Sequence, residues 1–260
     1  MKVATISYVP PKGRLNSDSF MRNLEAFDTK NQLYLYSDDS AWGLNSIANP
    51  DIVKHPKKHF AVNNLVFLFG LNLAIDLGLD YMLYLESDVR VRGDNWDQII
   101  FDDCFRARKT PLIYGTPVVF NISQSGFSPL RKAVGLVNEF MNVTNCPAVV
   151  HGAWPGSPAH FLLFPNGALG VYHVPTMAKI FDGFRTNIGK SAMEIAAWDH
   201  SVGVGMYNLF GSDCIDQFQY ATACYSGYGE DMTNHDFRRQ LLLNGKCVGV
   251  HQCKHDDPWL

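Results

Sequence analysis

The sequence predicts an α/β fold, a mostly parallel central sheet flanked by helices. Two observations carry this expectation. Strand-like and helix-like stretches alternate through the first half of the chain, as βαβ units require. The run YMLYL at residues 81–85 is apolar throughout, which is the pattern of a strand covered on both faces. The 260 residues, 47% hydrophobic and 18% charged, suit one large domain with a buried core.

Val3 to Val9 reads as the first strand, and Pro10, Pro11 and Gly13 break it into a loop. Ser17 to Phe27 reads as a helix with Ser17 or Asn16 as its cap. Gln32 to Tyr36 is a short second strand that ends at Ser37, Asp38 and Asp39. Ala61 to Leu77 is a long helical segment closed by Gly78, and Tyr81 to Leu85 is the next strand. Asp94 to Ala107 suggests helix, Leu112 to Phe120 strand and Pro129 to Met141 helix. Ala168 to Val174 is strand-like, and Pro175 to Phe184 is a helix with Pro in its first turn. Ser191 to Leu209 reads mostly as helix, weakened by Gly203 and Gly205. Lys246 to Cys253 is the last strand-like run.

The net charge of −3 and a pI of about 6.3 do not point to general nucleic-acid binding. The run MKVATISYVPPKG lacks the apolar stretch of about 7–15 residues that a signal peptide carries. Ala61 to Leu79 holds Asn63, Asn64, Asn72 and Asp76 and is too polar for a membrane span. A soluble, cytoplasmic protein is therefore expected. Cys104, Cys146, Cys214, Cys224, Cys247 and Cys253 are widely spaced and are expected as free thiols. The triplets Asn121-Ile-Ser and Asn142-Val-Thr then have no glycosylation role.

Glu86 and Asp88 follow the buried strand directly, in YMLYLESDVRVRG. In extended backbone, residues two apart share a side, so the two carboxylates point the same way. A hard divalent cation takes oxygen ligands of this kind and bridges them to phosphate. Asp88 is the expected direct ligand; Glu86 could bind metal, water or a ribose hydroxyl. The plainer alternative is that the acids cap a turn or pair with Arg90 and Arg92. In open α/β sheets, ligands bind beyond the carboxyl ends of strands. The loop from Ser7 to Gly13 and the pair Asp38 and Asp39 fall at such ends too.

With its helix, turn and strand context, LNLAIDLGLDYMLYLESDV (71–89) resembles the acidic triplet of GT-A nucleotide-sugar glycosyltransferases. Three further stretches fall in the order seen in glycogenin-like members. FPNGALGVYHV (164–174) is similar to their Asn-Ser-Gly stretch, which implies Asn166, Gly167 and Ala168 near the donor sugar. AAWDHSVGVGMYN (196–208) is similar to the acidic helix start near the reacting sugar carbon, which implies Asp199 as the catalytic carboxylate, with Glu194 as the alternative. VGVHQCKHDDPW (248–259) is similar to the C-terminal His-Lys-Pro-Trp segment, at shorter spacing. There His251 would complete the metal shell, with His255 the other candidate, and Lys254 would meet the diphosphate.

The resemblance implies a GT-A-like domain over residues 1–260. Residues 1–120 would be the nucleotide-sugar-binding half, and 121–260 the acceptor-binding and catalytic half. It implies a hexosyl- or pentosyltransferase using Mn²⁺ or Mg²⁺ and a nucleoside-diphosphate sugar, by class habit a UDP-sugar. The base and ribose would lie near Ser7, Tyr8 and Val9, with Asp38 or Asp39 reading the ribose or base. The acceptor could be a glycan, a lipid-linked sugar, a protein or a modified nucleobase. Three rivals stand beside this reading. One is a nucleotidyltransferase, which also uses paired acids and metal. Another is a sugar- or nucleotide-binding protein without catalysis, with Phe218 to Tyr228 as an aromatic platform. The third is a structural zinc on Cys247, His251, Cys253 and His255, although one strand would splay those ligands along a line.

Overall fold

The computed structural model describes residues 1–13, 17–46, 59–106, 110–121, 161–187, 198–226 and 235–251. The expected helix at 129–141, the cap Asn16, Cys146 and Cys253 lie outside the described residues, as do Glu194, Lys254 and His255.

The first strand, β1 (Val3–Tyr8), leads into helix α1 (Ser17–Glu25), then β2 (Gln32–Ser37) and the two-residue β3 (Asn45–Ser46). Helix α2 (His59–Asp76) precedes β4 (Tyr81–Leu85). Gly78 between them adopts φ 62°, a left-handed conformation that glycine takes without strain, and this ends the helix. After β5 (Arg90–Val91) come helix α3 (Trp96–Cys104) and β6 (Ile113–Asn121). The rest comprises β7 (Phe161–His173), α4 (Val174–Asn187), α5 (Trp198–Phe210), β8 (Phe218–Tyr220), β9 (Cys224–Tyr225), α6 (His235–Leu243) and β10 (Gly249–Val250).

Seven strands form the central sheet in the order β3-β2-β1-β4-β7-β6-β8. Every neighbouring pair is parallel except those made by β7, which runs antiparallel to both β4 and β6. The mostly parallel sheet read from the sequence is therefore present. The apolar run at 81–85 has the expected cause. Tyr81, Leu83 and Leu85 face one core with Phe20, Trp96, Ile100 and Phe101, while Met82 and Tyr84 face another with Phe67, Phe181 and Trp198. In the second core Phe67 stacks on Trp198 at 3.7 Å between ring centroids, 6° from parallel.

Two expectations need correction. The expected strand does not start at Lys246: among the described residues 246–251 the strand is Gly249–Val250, with Val248 and His251 adding backbone hydrogen bonds on either side. The backbone N–H groups of Gly245, Lys246 and Cys247 donate to the carbonyls of Leu242 and Leu241, closing α6, with Gly245 at φ 65°. Lys246 and Cys247 are thus committed to the helix end. Nor does the strand after Pro165 begin at Ala168, because β7 runs through Asn166 and Gly167. These residues sit where the register against β6 slips. Gly115 pairs with Gly170 and Pro117 with Pro165, so residues 166–169 stand opposite Thr116 alone, as a bulge.

A buried carboxylate ties the far side of the sheet together. Asp103 in α3 accepts from the Tyr114 hydroxyl at 2.6 Å, Thr222 N at 2.7 Å, Thr222 Oγ1 at 2.7 Å and Ala223 N at 3.0 Å. Burial alone would raise its pKa, but these donors outweigh burial and hold the carboxyl below its usual range. A depressed folded value means that the stabilisation is present above the unfolded pKa of about 3.9 and is lost as pH falls through the folded one. Asp103→Asn is expected to cost about 1–3 kcal/mol at neutral pH, since buried donors lose an anionic acceptor. Urea denaturation across pH should show a flatter acid limb below about pH 4 in the variant than in the wild type.

Candidate active site

The site is built at the carboxyl end of β4. Glu86 N donates to Ala168 O at 2.8 Å, which carries the β4–β7 ladder one step past the Leu85 and Leu169 pair. Val89 N then donates to Glu86 O at 3.0 Å and closes a turn that turns out both acids. Arg90 holds this turn from beneath. Its buried guanidinium donates to Val89 O at 2.8 Å, Ser87 O at 3.2 Å and the Ser19 hydroxyl of α1.

A second, three-stranded sheet, β5-β10-β9, delivers the third member. β10 pairs antiparallel with β5, Val250 opposite Arg90, so the next residue, His251, arrives beside the turn. His251 N donates to Tyr225 O at 3.0 Å and extends the β9 side of the same sheet. The imidazole Nε2 lies 3.2 Å from Asp88 Oδ1. Glu86, Asp88 and His251 each present a ligand atom, all within 4.8 Å of one another. Among the described residues this is the cluster of metal-ligating side chains that converges.

The donor set fits a hard-to-borderline divalent cation of the Mn²⁺ or Mg²⁺ kind. The two carboxylates suit either ion, the imidazole favours Mn²⁺ over the harder Mg²⁺, and octahedral ligands about 2.1 Å from such an ion are about 3 Å apart when adjacent. The 3.2 Å between Asp88 and His251 matches adjacent ligands. Of the four residues of the zinc reading, Cys247 and His251 are described. Cys247 is buried with its Sγ 3.9 Å from Thr222 O, while His251 turns to Asp88.

The Asn166–Gly167 bulge and the start of α5 meet on one side of this cluster. A Cβ built on Gly167 would lie 2.7 Å from Trp198 Cη2 and 2.9 Å from Asp199 Cβ. Glycine is therefore what lets the helix start, with Asp199 in its first turn, close on the end of β7. A carboxylate in a first turn also complements the helix dipole. Tyr172 lies beneath. Burial raises its phenol pKa, and the nearby Asp199 and Glu86 carboxylates push the same way, so the hydroxyl stays neutral. Asn166 Nδ2 donates to Ser226 O at 3.1 Å, which joins the bulge to the His251 side.

The other expected positions divide by burial. Ser7 is fully buried, and its hydroxyl donates to Leu85 O at 2.8 Å, locking β1 to β4. Val9 is buried in the core with Phe20 and Leu24, and its N–H donates to Tyr36 O at 2.8 Å. Tyr8 is half-buried and donates to Asp38 Oδ1 at 2.6 Å. Asp39 caps the short 3-10 helix Ser40–Trp42 by accepting from Ala41 N at 2.9 Å, and it also accepts from Lys12 N at 2.8 Å. Those two backbone donors lower its pKa. Lys12 Nζ lies over the Trp42 ring, 5.3 Å from its centroid. Thr116 and Ser226 were not expected from the sequence, because each acts on a segment remote in the chain.

The sheet is mostly parallel with β7 antiparallel inside it, and the acidic triplet follows β4, the arrangement that the resemblance of the sequence to GT-A enzymes implies. The fold is mixed α/β. No protein-family model matches the sequence, and no curated protein matches it. In structure, the chain is similar to mouse xyloside xylosyltransferase 1 in its apo form. That likeness has a TM-score of 0.43 and 10% identity, over 99% of this chain and 100% of that one. It is also similar to the apo structure of WbbM, a bifunctional glycosyltransferase, with a TM-score of 0.44 and 11% identity, over 96% of this chain and 45% of that one. Among the described residues, no helix is long and apolar enough to cross a membrane.

Proposed function

We propose that the chain is a metal-dependent glycosyltransferase that moves a sugar from a nucleoside-diphosphate sugar, with UDP as the nucleotide, to an acceptor hydroxyl. The observation that supports this reading best is the convergence of Glu86, Asp88 and His251 beyond the carboxyl end of a parallel strand. That is where open α/β sheets bind nucleotides.

Glu86, Asp88 and His251 would hold Mn²⁺ or Mg²⁺. The ion would supply Lewis-acid stabilisation of the departing diphosphate. Asp199 lies across the Gly167 contact, where the sugar carbon would gain positive charge. In an inverting transfer Asp199 takes the proton of the acceptor hydroxyl; in a retaining one it orients the donor sugar. The anomeric configuration of the product separates the two. The neutral, buried Tyr172 hydroxyl donates to Gly167 O at 3.5 Å and so supports the bulge beside Asp199. Tyr8 and Asp38, at the ends of β1 and β2, form the remaining half-buried polar pair on the nucleotide side.

The test is a donor screen. The protein is incubated with UDP-, GDP- and CMP-linked sugars, with and without Mn²⁺, and the released nucleotide is measured. Slow hydrolysis of one donor only in the presence of metal is the expected result. No hydrolysis of any donor, together with no metal-dependent donor binding by calorimetry, would overturn the reading. Release of pyrophosphate from a nucleoside triphosphate would point instead to nucleotidyl transfer.

A further inference from the structure

Ser226 joins three parts of the site and is fully buried. Its hydroxyl lies 3.1 Å from His251 Nδ1. Its carbonyl accepts from Asn166 Nδ2 at 3.1 Å, and its N–H donates to Thr116 Oγ1 at 2.9 Å, in the gap of the β6–β7 register slip. The backbone is thus pinned from both directions, and the hydroxyl is aimed at one imidazole nitrogen.

A neutral imidazole has one N–H donor and one lone-pair acceptor. To ligate a cation through Nε2, His251 must carry its proton on Nδ1, which then needs an acceptor. Without a cation, Nε2 faces the Asp88 carboxylate at 3.2 Å, which favours the opposite tautomer, Nε2–H donating to Asp88. A carboxylate or a carbonyl beside Nδ1 would fix one tautomer, since each can only accept. A hydroxyl can accept from Nδ1–H or donate to a bare Nδ1, so it serves both.

We infer that Ser226 is a positioning residue that holds the His251 ring in place while letting its proton sit on Nε2 without metal and on Nδ1 with it. On loading, the proton on Nε2 goes to solvent, and the Ser226 hydroxyl accepts from the Nδ1–H that faces it. The inference rests on the metal site proposed above. It adds that the ligand is built for reversible loading, with Asn166 helping to hold the same anchor.

Mn²⁺ titrations followed by electron paramagnetic resonance, on wild type, Asp88→Asn, Ser226→Ala and Ser226→Thr, test this. Ser226→Ala is expected to weaken Mn²⁺ binding about 10–100-fold, the usual cost of losing such a partner, and Ser226→Thr to recover most of it. Equal affinity in wild type and Ser226→Ala, with binding still lost in Asp88→Asn, would overturn the Ser226 inference and leave the metal site standing. Absence of binding by the wild type would overturn both. A second readout needs no variant at position 226. In ¹⁵N-histidine-labelled wild type, with the signal assigned by His251→Gln, saturation with diamagnetic Zn²⁺, which binds imidazole nitrogen, should move His251 from the Nε2–H to the Nδ1–H pattern. A tautomer that is the same with and without Zn²⁺ would refute the inference.

Discussion

Asp88→Asn is expected to slow metal-dependent cleavage of the donor by about 10²–10⁴-fold, the several kcal/mol that a Lewis acid contributes to a departing anion. Asparagine keeps the shape of the side chain and removes its charge. The cation then loses an anionic ligand, and His251 Nε2 loses the carboxylate 3.2 Å away. Stability should move in the other direction or not at all. In the absence of metal, removing one of two converging like charges relieves repulsion, and an asparagine Oδ1 still accepts from His251 Nε2–H, which limits the loss of the anionic acceptor. Turnover with Mn²⁺ should therefore collapse while the urea midpoint holds or rises. A variant that keeps its metal-dependent rate, or one that unfolds, would show that Asp88 serves the turn and not a cation.

Gly167→Ala is expected to lower both stability and rate. The added methyl would sit 2.7 Å from Trp198 Cη2 and 2.9 Å from Asp199 Cβ, and Trp198 cannot yield freely because its ring is stacked on Phe67 at 3.7 Å. Overpacking of this kind costs about 1–3 kcal/mol. The easier adjustment is for the start of α5 to withdraw, which takes Asp199 with it, and a displacement of about 1 Å at a reacting group can cost about 10²-fold in rate. Denaturation and single-turnover measurements on the same variant separate the two effects. A stable Gly167→Ala with wild-type rate would mean that α5 does not need to approach β7 as closely as it does.

The sheet was legible where its signal is local. Five apolar residues in a row at 81–85 mark a strand between two cores, and β4 spans those residues. The ends of β1, α1, β2 and α2 fall within two residues of the expected positions because proline, glycine or acids interrupt the pattern there. β3, β5 and β9 were not legible, since two residues carry no period, and β10 was legible only as part of the longer run 246–253. Pro165-Asn166-Gly167 has turn chemistry by local rules. Here the glycine is used instead to admit an indole, and the strand continues through it. Of the site, Glu86 and Asp88 were visible from strand-end spacing, while His251 was reached only through the resemblance. Ser226 was invisible. Its partners Thr116 and Asn166 lie 110 and 60 residues away in the chain, and no short-range pattern encodes such a contact.

The antiparallel strand β7 has a consequence for dividing the molecule. It is inserted between β4 and β6, so a strand from the second half of the chain is wedged between two from the first. A chain cut near residue 120 would keep β1, β2 and β4 in their parallel order but leave β4 as an edge. That edge would show unpaired backbone along Tyr81 to Leu85, five residues that are all buried in the intact protein. Long apolar edges of this kind recruit other chains rather than water. The severed half would precipitate or pair with copies of itself rather than persist as a free unit.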